Sequence, residues 1–173
     1  MSQLSSLSFN SSTDSSLLVR DVAGSYRPAE PAEVLQAALR VLAGQLRGTE
    51  MLSSPQAARD FLRIKLGALE HEVFAVIHLD AQHRVIEYVE MFRGTVTQTS
   101  VYPREVVKEA MTHNTAAIVL VHNHPSGVAE PSRADEHLTQ TLKSALSLVD
   151  VRVIDHLIVA GPTILSFAER GLI

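Results

Sequence analysis

The chain has 173 residues, a net charge of −4 and no cysteine. That length suits one domain plus a tail, and the missing cysteine excludes a disulfide framework, a thiolate metal site and the Pro-Cys-x-x-Cys signature of zinc nucleobase deaminases. With 46% hydrophobic residues, no Lys/Arg run and no apolar run of membrane-spanning length, it reads as a soluble globular protein, cytoplasmic by default, without a strong nucleic-acid or membrane signal.

Taken in chain order, residues 1–28 are crowded with Ser and lack apolar periodicity. They are expected to form a flexible or loosely docked tail. Met1-Ser2-Gln3-Leu4-Ser5-Ser6 has no basic region followed by an apolar core, so it is not read as a secretory signal. Residues 29–50 hold an N-terminal helix. Pro31 through Arg47 is amphipathic, with Val34, Leu35, Ala38, Leu39, Val41, Leu42 and Leu46 on its apolar side and Gly48 able to end it. Residues 51–173 read as one α/β domain. Ser54-Pro55 starts a helix running to about 67. Strands follow at about 72–79 and 84–92, joined by Asp80-Ala81-Gln82-His83. Gly94 breaks the second strand, and a short extended segment leads to Pro103, which opens a helix to about 113. A strand at 116–121, a helix at 132–148 and strands at 151–159 and 163–167 complete the chain. Leu138, Leu142, Ala145, Leu146 and Val149 give the last helix its buried side.

The chemistry lies where the 116–121 strand ends. His122-Asn123-His124 is followed by Ser132 and then Asp135. Alternate residues of an extended segment point to one side, so both imidazoles can reach one ion while Asn123 points away. Asn123 is then free to brace the loop through hydrogen bonds. Pro125 ends strand pairing and Ser126-Gly127 turns the chain. Pro131-Ser132 opens a helix that carries Asp135 in its first turn. Two imidazoles and one carboxylate make a three-ligand zinc site with the fourth position left for water, the mark of a catalytic rather than a structural zinc. Ser132 and Asp135 also have the spacing of a capping box with a shorter acid, a role that needs no metal.

These residues resemble the JAMM motif of JAB/MPN-type zinc metalloproteases and isopeptidases. Glu72-Val73-Phe74, Leu79-Asp80, Gly94-Thr95, Pro103-Arg104-Glu105, His122-Asn123-His124-Pro125-Ser126-Gly127, Pro131-Ser132, Asp135, Asp155-His156 and Ser166-Phe167-Ala168-Glu169-Arg170-Gly171 look like the bacterial RadC-like branch. The resemblance covers about residues 52–173. It implies a mixed, curved sheet flanked by helices, of cytidine-deaminase-like architecture, with one Zn2+ per chain on His122, His124 and Asp135. It also implies an upstream glutamate as general acid/base. Glu72, directly before the apolar strand, matches that position, with Glu70 as the competitor. Ser132 would donate to the oxyanion of a tetrahedral intermediate. The implied reaction is hydrolysis of a peptide or isopeptide bond in a protein or peptide substrate.

This chain departs from many JAMM isopeptidases in carrying Asn123, rather than Ser or Thr, between the histidines. Full-length RadC-like proteins resemble a helix-hairpin-helix module joined to the JAB domain. The N-terminal part here looks too short for that module, so the chain reads as a short, JAB-only member. Its single helix is expected to pack on the domain or on a second copy, as a homodimer. Two other function classes stay open: a non-catalytic JAB-fold interaction protein, and a DNA-repair-associated nucleic-acid-binding protein. An HNH nuclease shares the letters His122-Asn123-His124, but the Ser132-Asp135 continuation belongs to the JAMM pattern. Of the remaining histidines, His71, His83, His113 and His137 read as surface residues and His78 as partly exposed. His156 reads as a core histidine with a satisfied hydrogen bond rather than a fourth ligand. Arg104 and Glu105 are expected to anchor the 103–113 helix, with a place near the site as the alternative for Arg104.

Overall fold

The computed structural model describes residues 17–20, 22–51, 55–94 and 100–173. The Ser-rich stretch 1–16, Ser54 at the expected helix start, and most of the segment after Gly94 lie outside these residues. The chain divides into two units, one up to Ala38 and one from Leu39 onward. The first contains a two-stranded antiparallel pair, β1 (Leu18–Arg20) and β2 (Tyr26–Pro28). It also holds the start of α1 (Pro31–Leu46), where the Glu33 carboxylate accepts the Glu30 N–H at 2.9 Å and pairs with the Arg27 guanidinium. Residues 18–28 are thus partly ordered within what reads from sequence as tail. Each strand is only three residues long, too short for an alternating pattern to register.

The second unit is built on a five-stranded mixed sheet in the order β4-β3-β5-β6-β7. The strands are β3 (Val73–Leu79), β4 (Val85–Arg93), β5 (Ala117–Asn123), β6 (Arg152–Ala160) and β7 (Thr163–Ser166). β3 runs antiparallel to both β4 and β5, β5 and β6 are parallel, and β7 folds back on β6. The helices are α2 (Pro55–Leu66), α3 (Pro103–Thr112) and α4 (Arg133–Ser147). A parallel pair needs a crossover, and α4 supplies it between β5 and β6.

Both faces of the sheet are covered, which is why β3 and β5 read as continuous apolar runs and are buried throughout. Alternation assigns the residues. Ala75, Ile77, Leu79, Val119 and Val121 pack with Phe61, Leu62 and Leu66 of α2 on one side. Phe74, Val76, Ile118 and Leu120 pack with Val106 and Ala110 of α3 and with Leu142 and Leu146 of α4 on the other. α2 ends where only glycine fits: a Cβ on Gly67 would meet the Arg63 carbonyl oxygen at 2.5 Å and that of Gly161 at 2.8 Å. Among the described residues, no helix is long and apolar enough to cross a membrane.

Candidate metal centre

The end of β5 is the centre of the site. His122 lies within the strand, 2% exposed, and faces the α3/α4 side as its neighbour Leu120 does. His124 lies one residue past the strand end, where its N–H still bonds the Val159 carbonyl at 2.8 Å. Its carbonyl accepts the Gly127 N–H at 3.0 Å, and Gly127 takes φ +76°, a left-handed turn that glycine adopts without strain. The chain then returns to α4. Ser132 is the N-cap and forms a reciprocal capping box with Asp135: the Asp135 N–H donates to Ser132 Oγ at 3.2 Å, and the Ser132 N–H donates to Asp135 Oδ2 at 2.7 Å. The Ser132 hydroxyl also donates to Oδ2, at 2.7 Å. The cap and the metal reading are therefore not rivals, because the same carboxylate reaches the histidines.

Nε2 of His122 lies 2.9 Å from Nε2 of His124 and 3.4 Å from Asp135 Oδ1, and Nε2 of His124 lies 3.7 Å from Oδ2. Ligand atoms about 2.0–2.1 Å from a tetrahedral zinc stand about 3.3 Å from one another. The three observed distances bracket that value.

The hydrogen-bond chain behind the site fixes where the protons lie. Thr139 Oγ1 donates to the Asp135 carbonyl at 2.6 Å, a bond that uses its one proton. Towards His156 Nδ1, at 2.7 Å, it can only accept. His156 therefore carries its proton on Nδ1 and presents bare Nε2 to His122 Nδ1, 2.8 Å away. His122 in turn donates from Nδ1, which leaves its Nε2 lone pair facing the site. His124 is fixed independently, because its Nδ1, 2.8 Å from the Val128 carbonyl, must be the donor. The two Nε2 atoms thus meet at 2.9 Å beside a carboxylate, an arrangement that a shared proton or a metal ion satisfies. This donor set fits zinc.

The electrostatics agree. Burial pushes His122 down to about 4 and His156 well below its ordinary value, so both are neutral imidazoles. The carboxylate of Asp135 raises His124. Burial alone would raise Asp135, but its contacts with His124, His122 and Ser132 outweigh this and hold it well below the usual carboxylate range.

Glu72 precedes β3 and is half-buried. Phe74 pairs with His122, and extending this antiparallel register by two residues places Glu72 opposite His124. Its charge contributes to raising the His124 imidazole. Asn123 braces this position. Its side chain accepts the Val73 N–H at 2.7 Å and donates to the His71 carbonyl at 3.0 Å, gripping the backbone on either side of Glu72. The Gly94 N–H holds the Glu72 carbonyl at 2.8 Å. Glu70, two residues earlier, is exposed. Because Asn123 is 1% exposed, Asn123→Ala strips the buried Val73 N–H and the part-buried His71 carbonyl of their partner. It should cost about 2 kcal/mol in denaturant unfolding. An unchanged midpoint would mean the brace carries no weight.

Two groups behind the site have no role assigned from the sequence. Thr139 is buried on the inner side of α4, one turn after Asp135, and closes the proton chain. Asp155 accepts the Ser166 hydroxyl at 2.6 Å and the N–H groups of His156 and Ala168 at 2.7 and 2.9 Å. Burial raises its carboxyl, with those hydrogen bonds opposing. This knot seats Phe167 against the His156 ring, centroids 4.7 Å apart. The available signals were an Asp-His pair inside an apolar strand and a Thr four residues past a ligand. Arg104 is exposed and pairs with Glu105 at 3.3 Å.

A mixed sheet with helices on both faces, carrying two histidines from a strand end and an aspartate from a helix start, defines an α/β domain with a JAB-type metal-binding constellation. The family model "RadC-like JAB domain" matches residues 52–172, and the chain belongs to that family. It is 60% identical over 150 residues to a UPF0758 protein of Leptothrix cholodnii, an alignment that covers 87% of this chain and 68% of that relative. A UPF0758 protein of Polaromonas sp. is 58% identical over 150 residues, covering 87% and 67%. One from Variovorax paradoxus is 53% identical over 156 residues, covering 90% and 69%.

Proposed function

We propose that this protein is a zinc-dependent hydrolase of peptide or isopeptide bonds, acting on a peptide or protein substrate. The observation that carries the reading is the convergence of the Nε2 atoms of His122 and His124 beside Asp135, with Glu72 opposite His124. His122, His124 and Asp135 would hold the ion. When bound, zinc supplies Lewis acidity, lowering the pKa of water and polarising a carbonyl. Glu72 takes the proton of the attacking water and returns it to the leaving nitrogen. Ser132 Oγ turns from Asp135 to donate to the oxyanion. Asn123 keeps the Glu72 backbone in place through the cycle.

The test is zinc content, by elemental mass spectrometry, of protein purified without added metal, for wild type beside His124→Ala. His124 is only half-buried, so the variant should fold. One equivalent of zinc should disappear in the variant, together with peptide hydrolysis. Equal zinc in both proteins removes the proposed ligand set. No zinc in either, even after reconstitution, moves the weight to a binding or scaffold role.

A further inference from the structure

His78 sits in the middle of the sheet and is 0% exposed. It lies on the same side of β3 as Phe74 and Val76, facing α3. Its Nδ1 is 2.8 Å from Thr115 Oγ1. Its Nε2 has no partner, and it is the one buried side-chain polar atom so placed among the described residues. Burying such an atom without a partner is costly. A bland core position would carry Val or Leu here, as the neighbouring positions do.

The end of α3 lies against it. Glu109 and the C-cap His113 are one turn apart, with His113 Nε2 3.0 Å from Glu109 Oε1. The His113 ring stacks on His78, centroids 4.6 Å apart and planes 27° apart. One ligand atom from each of His78, Glu109 and His113 lies within 4.8 Å of the other two. We infer that these three residues form a second divalent-cation site, of the class that takes zinc.

Two imidazoles and a carboxylate are again the donor set, leaving a fourth position for water. Thr115 plays the outer-partner role: a proton on His78 Nδ1 donated to Oγ1 leaves the Nε2 lone pair available. The side chains of His113 and Glu109 are 25% and 32% exposed, which gives the ion a route in. A cation here also lies at the C-terminal end of α3, where the helix dipole favours positive charge. The site is separate from the first. His78 lies four residues along β3 from Phe74, the partner of His122, or about 13 Å at about 3.3 Å per residue. Its effect is to tie the last turn of α3 to the central strand.

The test uses His124→Ala, in which the first site is disabled, and the metal-free full chain is titrated with Zn2+ against a competing chelator dye. One equivalent should still bind and raise the melting temperature. Adding His113→Ala, or separately Glu109→Gln, should weaken that binding at least tenfold and remove the thermal shift. Both substitutions are at part-exposed positions, and circular dichroism checks that each variant is folded. No binding by His124→Ala, or binding indifferent to both added substitutions, overturns the second site. The outcome is independent of whether the first site is catalytic.

Discussion

Glu72→Gln is expected to lower turnover of a peptide substrate by about 10²–10⁴-fold, the typical contribution of a positioned general acid/base, while zinc remains bound. Gln keeps the size of the side chain and leaves the backbone clamp from Asn123 and Gly94 untouched. What it loses is the ability to take and return a proton. A drop in kcat with KM and zinc content unchanged is the signature of an interaction made only in the transition state. Glu70→Gln is the control, because that side chain is exposed and should leave turnover unchanged. Full activity in Glu72→Gln would remove the proposed base.

His156→Ala should weaken zinc binding by about 10–100-fold although His156 touches no ion, the usual cost of losing a partner behind a metal ligand. It removes the acceptor that holds the His122 proton on Nδ1 and leaves Thr139 without one of its two partners. The ring is fully buried between Phe74 and Phe167, so a cavity also opens and the fold should lose about 2–4 kcal/mol. His156→Gln separates the two effects. Its amide can accept from His122 and donate to Thr139, so zinc affinity should recover more than stability does. Chelator competition and denaturant unfolding give the two readings. Zinc affinity unchanged in His156→Ala would show that the tautomer is not held by this chain.

The elements of the domain were legible to within one or two residues because each carries a strong signal. α3 and α4 begin beside Pro103 and Ser132, β3 and β5 are unbroken apolar runs, and turn residues separate them. The convergence of His122, His124 and Asp135 is legible from alternation and capping geometry, and the turn of Asn123 away from the site follows from the same alternation. Other features depend on long-range packing and so leave little local trace. His78 reads as partly exposed because it alternates with apolar neighbours, but α3 covers that face and buries it. His113 reads as surface because it ends a helix, and it is the stacking on His78 that half-buries it. The hairpin at 18–28 is too short to show a period.

The pieces of the centre come from 72, 122–124, 132–135 and 156, with α2 outside that span and β6 at its end. His122 and His124 are local and could hold metal loosely in an unfolded chain. The tautomer of His122, however, is set only after β6 has docked beside β5 and brought His156 up to it. If the proposed site holds zinc, tight loading is a late event in folding, which a nascent chain that ends before residue 156 cannot complete. Zinc uptake followed in time would then report closure of the β5–β6 crossover, a long-range parallel pairing of the intrinsically slow kind.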